Sequence, residues 1–360
     1  MKTPNYTITN LILSYLIKYE LSLADIRYHL LPDDLLEPLI EKYLAEDLEN
    51  LGNLVGNPIG YNNALLIQRG STSSLNRKKI KLFTNFRSAK EFISSYNNTN
   101  SLKPSVDLTS HINKLVVEDL VEEWDIAALR TFSEKPNDIY DTWYKYRDFY
   151  PQIEPGNYFA EIIDWVANGK DSNHKLIKTG VLLYEFIDKA PYTAGNQITS
   201  LLTIELLTKK YGYNPNNIFP FFRSIYDISS DLIYAFRLSK SQRDLTPFLE
   251  AYLYTISKTA VEISNEINTI FSKKVKKEGS RELELNQRQI QLLDYLSVNK
   301  KITRSKFTKM MGTSFMTSYR DIQNLIQKKY IKQKGKGRGT YYVLNDETRD
   351  EDLILDDIII

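Results

Sequence analysis

The sequence predicts a mainly α-helical protein of two domains, the second of which is strongly basic. Apolar residues recur at helical spacing through most of the 360 residues, and alternating, strand-like stretches occur near the C-terminal end. With 42% apolar residues, a chain of this length can bury two hydrophobic cores. The net charge of +2 conceals an asymmetry, because residues 286–345 carry 13 lysines and arginines against two acids. A basic module of this kind favours a nucleic-acid partner.

Composition also bears on location. The chain contains no cysteine, which excludes disulfides and thiolate chemistry and fits a reducing compartment. No stretch reaches the roughly 18 apolar residues that crossing a bilayer requires. The apolar run at residues 11–17 is not followed by a cleavage site of small residues. We therefore expect a cytoplasmic protein without a membrane partner.

The first 63 residues predict three helices and a loop. Residues 1–31 suggest two short N-terminal helices, the second beginning at Ser22 as N-cap. A longer helix is expected at 33–51, with Pro38 in its first turns, where the missing donor costs least. Residues 52–63, rich in glycine and asparagine, predict a loop.

Helical periodicity returns in seven further segments, and residues 124–155 show no clear period. The predicted helices are at 88–96, 108–123, 158–167, 175–188, 198–211, 217–238 and 245–271. The charged segment 273–285, which contains Gly279, predicts a linker. These assignments divide the chain into N-terminal helices (1–31), a helical domain (32–272), the linker (273–285), a basic domain (286–345) and an acidic, apolar tail (346–360).

Two of these helical runs are separated by a short break with a turn signal, Gly195-Asn196. Free backbone N–H groups at such a helix start can bind an anion, although a turn of this kind is also the tight connection that two helices need. The segment resembles the signature loop of the Fic family, His-Pro-Phe-x-(Asp/Glu)-Gly-Asn-(Gly/Lys)-Arg. The nine matching residues, which we call the motif loop, are Ala190, Pro191, Tyr192, Thr193, Ala194, Gly195, Asn196, Gln197 and Ile198. Segments 108–120, 149–169, 174–188 and 244–256 are similar to other Fic segments in the same order, so the resemblance implies a Fic-like helical domain.

The resemblance implies an activity whose charged groups are missing here. In active Fic proteins, the loop His takes a proton from a target hydroxyl while that hydroxyl attacks the α-phosphate of a nucleotide. The loop carboxylate holds Mg²⁺, and two arginines bind phosphates. The corresponding residues in this chain are Ala190, Ala194, Ile198 and Leu201. We therefore expect no retained catalytic residue and no cofactor, and Gly195 and Asn196 are the nucleotide- or anion-binding candidates that are left.

The basic domain predicts three helices followed by a hairpin. The helices are expected at 286–299, 302–312 and 314–330, the last burying Met316, Ile322, Leu325 and Ile326, and the strands flank a glycine-rich turn at 335–339. This order is typical of a winged helix-turn-helix, and the module resembles the one attached to many Fic proteins. It predicts binding of double-stranded DNA, with a basic protein-interaction surface as the alternative. The DNA-contacting candidates are Thr313, Ser314, Thr317, Ser318, Tyr319 and Arg320 on the third helix and Lys334, Lys336 and Arg338 on the wing. Arg320 is expected to bind phosphate or to pair with Asp321.

Three functions follow as hypotheses. The first is a DNA-binding transcriptional regulator built on a catalytically inactive Fic-like domain. The second is a protein adenylyltransferase, or a related nucleotidyl transferase, that uses ATP and Mg²⁺ with a non-standard site. The third is a pseudoenzyme subunit that pairs with an active relative and uses its helical domain as a protein-binding surface. A homo-oligomer or another protein partner is a further expectation. The tail is expected either to be disordered or to fold back on the basic surface.

Overall fold

The structure, a computed structural model, describes residues 4–28, 33–71, 77–95, 104–131, 136, 155–168, 172–282 and 285–345. The chain divides into two compact units, which we call the N-terminal unit, Met1–Thr269, and the C-terminal unit, Ile270–Ile360. Within the described ranges no helix combines the length and the apolar character needed to span a bilayer. The acidic tail and most of the segment 124–155 lie outside the described residues.

The described part of the N-terminal unit is built of α-helices. They are α1 (Asn10–Tyr28), α2 (Asp33–Leu54), α3 (Tyr61–Gln68), α4 (Arg77–Ser95), α5 (Val106–Val117), α6 (Pro155–Asn168), α7 (Lys175–Lys189), α8 (Asn196–Lys210), α9 (Phe221–Asp227), α10 (Ser229–Gln242) and α11 (Thr246–Glu282), the last of which continues into the C-terminal unit. Short 3-10 turns occur at Glu123–Asp125 and Pro215–Asn217. The mainly helical prediction is confirmed.

The antiparallel pair α7 and α8 forms the centre of the N-terminal unit. Every residue of α7 from Leu176 to Asp188 is buried, and so is every residue of α8 from Asn196 to Thr208. Helices buried on all sides must be surrounded by other helices. Here α6 packs on α7, while α4, α5 and α9 pack on α8. The connection between the two central helices is therefore enclosed by the fold.

The helices predicted at 88–96 and 108–123 have other bounds, those of α4 and α5, and three further sequence predictions in this unit are wrong. Residues 10–28 form one helix and not two, because the buried stripe of α1 runs unbroken past Ser22, which is itself buried. The loop predicted at 52–63 ends in α3, which begins after Gly60. The single helix predicted at 217–238 is divided at Ile228, whose backbone dihedrals (φ −123°, ψ 19°) are not helical. No glycine or proline marks that break, so the pattern gave no sign of it.

The segment predicted as a linker continues α11 as far as Glu282. Lysine and glutamate are good helix formers, and a single interior glycine costs only about 1 kcal/mol relative to alanine. The charged composition that suggested a linker is therefore compatible with a helix, and Gly279 does not end it.

The C-terminal unit continues with three helices and a two-stranded hairpin. The helices are α12 (Gln287–Val298), α13 (Arg304–Met311) and α14 (Phe315–Gln327), and the antiparallel strands are β1 (Ile331–Lys334) and β2 (Tyr341–Leu344), with Ile331 opposite Leu344. Ile302 adds one further bridge by exchanging two backbone hydrogen bonds with Tyr342. The core consists of Leu292, Leu296, Ile302, Phe307, Ile322, Leu325, Ile331 and Tyr342.

The predicted starts at Asn286 and Ser314 and the predicted end at Gly312 agree with the caps of this unit, whereas α14 ends at Gln327, before the predicted residue 330. Asn286 and Gln289 form a capping box at the start of α12. Ser314 accepts a hydrogen bond from the backbone N–H of Thr317 at the start of α14. Gly312 ends α13 in the left-handed conformation that glycine adopts without strain.

Candidate functional site

The motif loop turns sharply at both of its ends. Ala190 closes α7 in the left-handed region (φ 46°), and Gly195 opens α8 in the same region (φ 71°). A Cβ atom on Gly195 would lie 2.5 Å from Cγ1 of Val117, which is closer than two carbon atoms can approach. Glycine is therefore required here twice over, by the dihedral angle and by contact with the end of α5.

The motif loop is held by side-chain hydrogen bonds from within and from α5. The amide of Asn196 accepts a hydrogen bond from the Tyr192 N–H and donates one to the Tyr192 carbonyl, each at 2.8 Å. From α5, the amide of Asn113 donates to the Ala194 carbonyl at 2.8 Å and to the Thr199 hydroxyl at 3.0 Å. These bonds hold the loop in one conformation.

A second segment, residues 125–130, lies along the outer side of the loop. The Arg130 N–H donates to the Pro191 carbonyl at 2.8 Å, and the Thr193 N–H donates to the Ala128 carbonyl at 3.0 Å. The buried guanidinium of Arg130 donates to the Ala190 carbonyl at 3.0 Å and also to that of Lys189. A cation at the C-terminal end of α7 is favourable, because the last carbonyls of a helix lack intrahelical partners and carry partial negative charge.

The four positions that correspond to the Fic catalytic groups are buried. Ala190 and Ile198 have no exposed surface, and Ala194 and Leu201 are 1% exposed. The two residues predicted to bind a nucleotide or anion, Gly195 and Asn196, are also buried. Within the described residues, no group of three His, Asp or Glu side chains is placed to hold a metal ion.

One cluster of charged side chains lies directly before the motif loop, at the end of α7. Burial raises the pKa of Glu185 from 4.5 to about 7; Asp188 adds to this rise, whereas Lys189 and the hydrogen bond from Tyr158 oppose it. One carboxylate oxygen of Glu185 has no hydrogen-bond partner. Burial alone would raise the pKa of Asp188, but Lys189 and Lys240 outweigh it and lower that pKa.

A second buried cluster of charged side chains joins the helices α2, α4 and α8. The ammonium of Lys90 on α4 lies 2.8 Å from a carboxylate oxygen of Asp47 on α2 and 2.7 Å from both oxygens of Glu205 on α8. Asp47 also accepts a hydrogen bond from the Phe222 N–H at the start of α9. Burial raises the pKa of Glu205 to about 7, while Lys90 opposes the rise. This cluster ties the central helix to its surroundings.

The start of α14 contains the hydroxyl groups predicted to contact DNA. The Ser314 hydroxyl caps the helix and lies 2.9 Å from the Thr317 hydroxyl. The Thr313 hydroxyl lies 2.9 Å from that of Ser318, which is fully buried. Ser318 is therefore not available for DNA, because its side chain lies on the face of α14 that packs against the core. The sequence pattern had placed it on the opposite face.

The structure of α14 differs from the prediction at Met316 and decides between the two alternatives given for Arg320. Met316 was expected in the core but is 62% exposed. Asp321 pairs with the guanidinium of Arg288 on α12 at 2.8 Å and not with the adjacent Arg320. Arg320 and Tyr319 are exposed, as a DNA-contacting role requires. The ring of Phe315 lies 4.0 Å from the guanidinium carbon of Arg304.

The hairpin extends two predicted contact residues into solvent. Lys334 at the end of β1 and Lys336 in the turn are exposed, and Gly335 has a positive φ of 82°. The side chain of Arg338 lies outside the described residues. The hairpin is thus positively charged at its tip.

Sequence reasoning missed the two residues that close the motif loop. Asn113 could have been identified from the sequence, because it is a polar residue on the same helical face as the apolar Ile112 and Val116. An amide buried on such a face needs hydrogen-bond partners. Arg130 had none, since it stands in a segment without periodicity and its partners are backbone carbonyls 60 residues away in sequence.

No family model matches the sequence, and no curated protein matches it. Solved structures do match. A Fic family protein from Desulfovibrio desulfuricans G20 covers 95% of this chain and 98% of its own length, at 16% identity and a TM-score of 0.58. Fic-1 from C. elegans covers 74% of this chain and 73% of its own, at 12% identity and a TM-score of 0.56. A Fic domain containing signaling protein from Bacteroides thetaiotaomicron VPI-5482 covers 72% and 94%, at 16% identity and a TM-score of 0.50. The chain therefore has the fold of Fic family proteins, which confirms that part of the prediction.

Proposed function

We propose that this protein is a DNA-binding regulator in which the Fic-fold unit has lost nucleotide transfer and the C-terminal unit binds double-stranded DNA. The observation that carries the proposal is a contrast between two helix starts. At α8, the positions that would handle a proton, a metal and phosphates are buried hydrocarbon side chains. At α14, the positions facing outward are exposed and lie in a domain with 13 basic residues and two acids.

The enclosure of the motif loop supports the loss of nucleotide transfer. Phosphoryl-type transfer depends on positioned charges around the phosphates. Alanine, isoleucine and leucine supply none, and a methyl group cannot accept a proton. The amide of Asn196 is engaged with Tyr192, and the N-terminal turn of α8 packs against α5. A nucleotide would have to displace these contacts and segment 125–130 to reach the backbone of the loop.

The order and pairing of elements support a winged helix-turn-helix in the C-terminal unit. Helices α12, α13 and α14 are followed by the hairpin, and Ile302 before α13 pairs with β2. In this class of domain the third helix enters the major groove and the wing contacts the backbone or minor groove. The exposure of Lys334 and Lys336 on the hairpin and of Arg320 on α14 supports such contacts.

Fluorescence anisotropy of the full chain with labelled duplex DNA tests the proposal. If about six phosphates are contacted, the logarithm of the binding constant should fall with the logarithm of salt concentration at a slope near −5. A random-oligonucleotide selection with the full chain supplies the preferred site. Absence of duplex binding at low salt would overturn the proposal, as would binding that does not depend on salt.

Protein adenylyl transfer is the second candidate, because the fold is shared and an ionisable group lies close to the loop. Burial raises the pKa of Glu185, five residues before Ala190, to about 7, the range in which a general base works. Incubation with labelled ATP and Mg²⁺ separates the two functions. Label incorporated into the protein or a partner, and lost in Glu185→Gln, would favour the enzyme; no incorporation favours the regulator.

A further inference from the structure

The exposed face of α14 in the C-terminal unit is apolar at its beginning. Phe315 is 50% exposed and Met316 62% exposed, and both precede the exposed residues Tyr319 and Arg320 on the same face. A helix face without a protein partner normally carries charged side chains, and large apolar side chains there indicate a binding surface. The surface has no apolar partner within the described residues of this unit.

The hydroxyl groups beside this face are already engaged. Ser314 caps α14 and bonds with Thr317, and Thr313 bonds with Ser318, which is buried. Their hydrogen bonds stabilise the start of the helix. They are therefore poorly placed to distinguish bases, and discrimination falls to the exposed side chains.

Arg304, at the start of α13, defines the edge of this surface. Its guanidinium carbon lies 4.0 Å from the ring centroid of Phe315 and 5.4 Å from that of Tyr319. Stacking on a ring leaves the N–H groups at the guanidinium edge free to point outward. The helix before the recognition helix crosses the DNA backbone in this class of domain, so the stacked guanidinium is placed for a phosphate.

The positive charge of the domain indicates which kind of partner binds the apolar surface. The domain that carries this face has 13 lysines and arginines against two acids, and Lys309, Lys334 and Lys336 are exposed, so the partner is an anionic polymer. In the major groove of DNA the one apolar group on a base edge is the C5 methyl of thymine. Apolar side chains at the start of a recognition helix match that group.

We propose that Phe315 and Met316 select thymine in the major groove by contact with its methyl group, while Arg304 holds an adjacent phosphate. This inference rests on the proposed DNA binding and adds to it the chemistry of base selection. Gln323, which is partly exposed two turns after Met316, is placed for adenine on the same groove face, because its amide matches the adenine N6 and N7 edge. The preferred site should contain adjacent A·T base pairs.

Replacement of thymine by deoxyuridine in the selected site tests the inference, because it removes only the methyl group and keeps every hydrogen-bonding edge. Binding of the full chain should weaken about fourfold for each contacted thymine, the factor that corresponds to burial of one methyl group. In Met316→Ala the same replacement should have little effect at the position that Met316 contacts. Ile290→Ala, which removes an exposed apolar side chain from α12, is the matched control and should keep the full deoxyuridine effect.

The outcomes separate this inference from the function on which it rests. Salt-dependent duplex binding that is unchanged by deoxyuridine at every position would overturn thymine selection and leave DNA binding standing. Absence of duplex binding would overturn both. Loss of the deoxyuridine effect in Met316→Ala, with the effect kept in Ile290→Ala, supports the inference.

Discussion

The starts of α8 and α14 have similar local sequences, but the start of α8 is buried and the start of α14 is exposed. Each follows a turn, and each has a short polar residue at or beside its N-cap, Asn196 in one case and Ser314 in the other. Asn196 is buried and bonded within its loop, whereas Ser314 is exposed and lies beside the exposed Phe315 and Met316. The comparison shows that a helix start becomes a binding site only when its surroundings leave it accessible. Local signals alone do not decide this.

The largest expected effect tests whether the motif loop is a packed connection. Gly195→Ala adds a methyl group 2.5 Å from Val117 at a φ of 71°. Backbone strain of about 1 kcal/mol and overpacking of about 2 kcal/mol should together lower the free energy of unfolding by about 3 kcal/mol. Urea unfolding followed by tryptophan fluorescence measures this, since all three tryptophans lie in the N-terminal unit.

Gly56→Ala is the matched control for this change. Gly56 has the same φ of 71°, but nothing lies within 4 Å of the added methyl group. The free energy of unfolding of Gly56→Ala should therefore fall only by the part due to backbone strain, about 1 kcal/mol. Equal losses in the two variants would mean that the loop yields to the methyl group, and the interpretation of a rigid, packed connection would be wrong.

Much of the helical framework was predictable because its signals are local. Apolar periodicity gave α2, α7 and α8 to within a few residues, and caps at Asn286 and Ser314 fixed the starts of α12 and α14. The break at Ile228 was not predictable, because no glycine or proline marks it, and the continuation of α11 past Phe271 was missed, because its charged residues were taken as a linker although lysine and glutamate favour a helix.

The candidate sites were less predictable than the fold. The residues that occupy the motif positions follow from the resemblance alone, but their enclosure depends on Asn113 and Arg130, which are distant in sequence. On α14 the predicted buried face was displaced by about one residue, so Ser318 was placed outside and Met316 inside. A helical period of 3.6 residues leaves such ambiguity wherever apolar residues also occur on the exposed face.

The next effect concerns the ionisable groups that the N-terminal unit buries. Because burial raises the pKa of Glu185 from 4.5 to about 7, the folded state binds a proton that the unfolded state has already lost between these pH values. The stabilisation is therefore complete below pH 4.5 and is lost as the pH rises through 7. The free energy of unfolding should fall by on the order of 2 kcal/mol per group between pH 5 and 8.

The Glu185→Gln variant isolates the contribution of this one carboxyl group to the pH dependence of the free energy of unfolding. The variant cannot ionise, so its free energy of unfolding should fall less steeply with pH than that of the original protein. Burial also raises the pKa of Glu205 to about 7. Glu205 therefore still makes the free energy of unfolding of the variant fall as the pH rises. Urea unfolding at pH 5, 6, 7 and 8 gives both curves. Parallel curves would show that Glu185 is ionised in the folded state at pH 5, and its assignment as a proton-holding group would be wrong.

The smallest expected effect tests whether the exposed charges of the C-terminal unit behave as phosphate contacts. Lys334→Ala and Lys336→Ala each remove one cation from the hairpin, where both side chains are exposed. Each should weaken duplex binding by a few-fold for every sequence and reduce the magnitude of the salt slope by about 1, because one fewer counterion is released. The thymine preference should be unchanged, since neither lysine lies on α14.

Lys258→Ala supplies the control for the hairpin variants, because it removes an exposed lysine from the N-terminal unit. Its salt slope should equal that of the original protein, since a charge that makes no contact with DNA releases no counterion. Should all three variants reduce the slope equally, the DNA would be responding to net charge and not to a defined surface. A reduction confined to the two hairpin variants would locate the phosphate backbone at the hairpin, and α14 would then be the element directed at the bases.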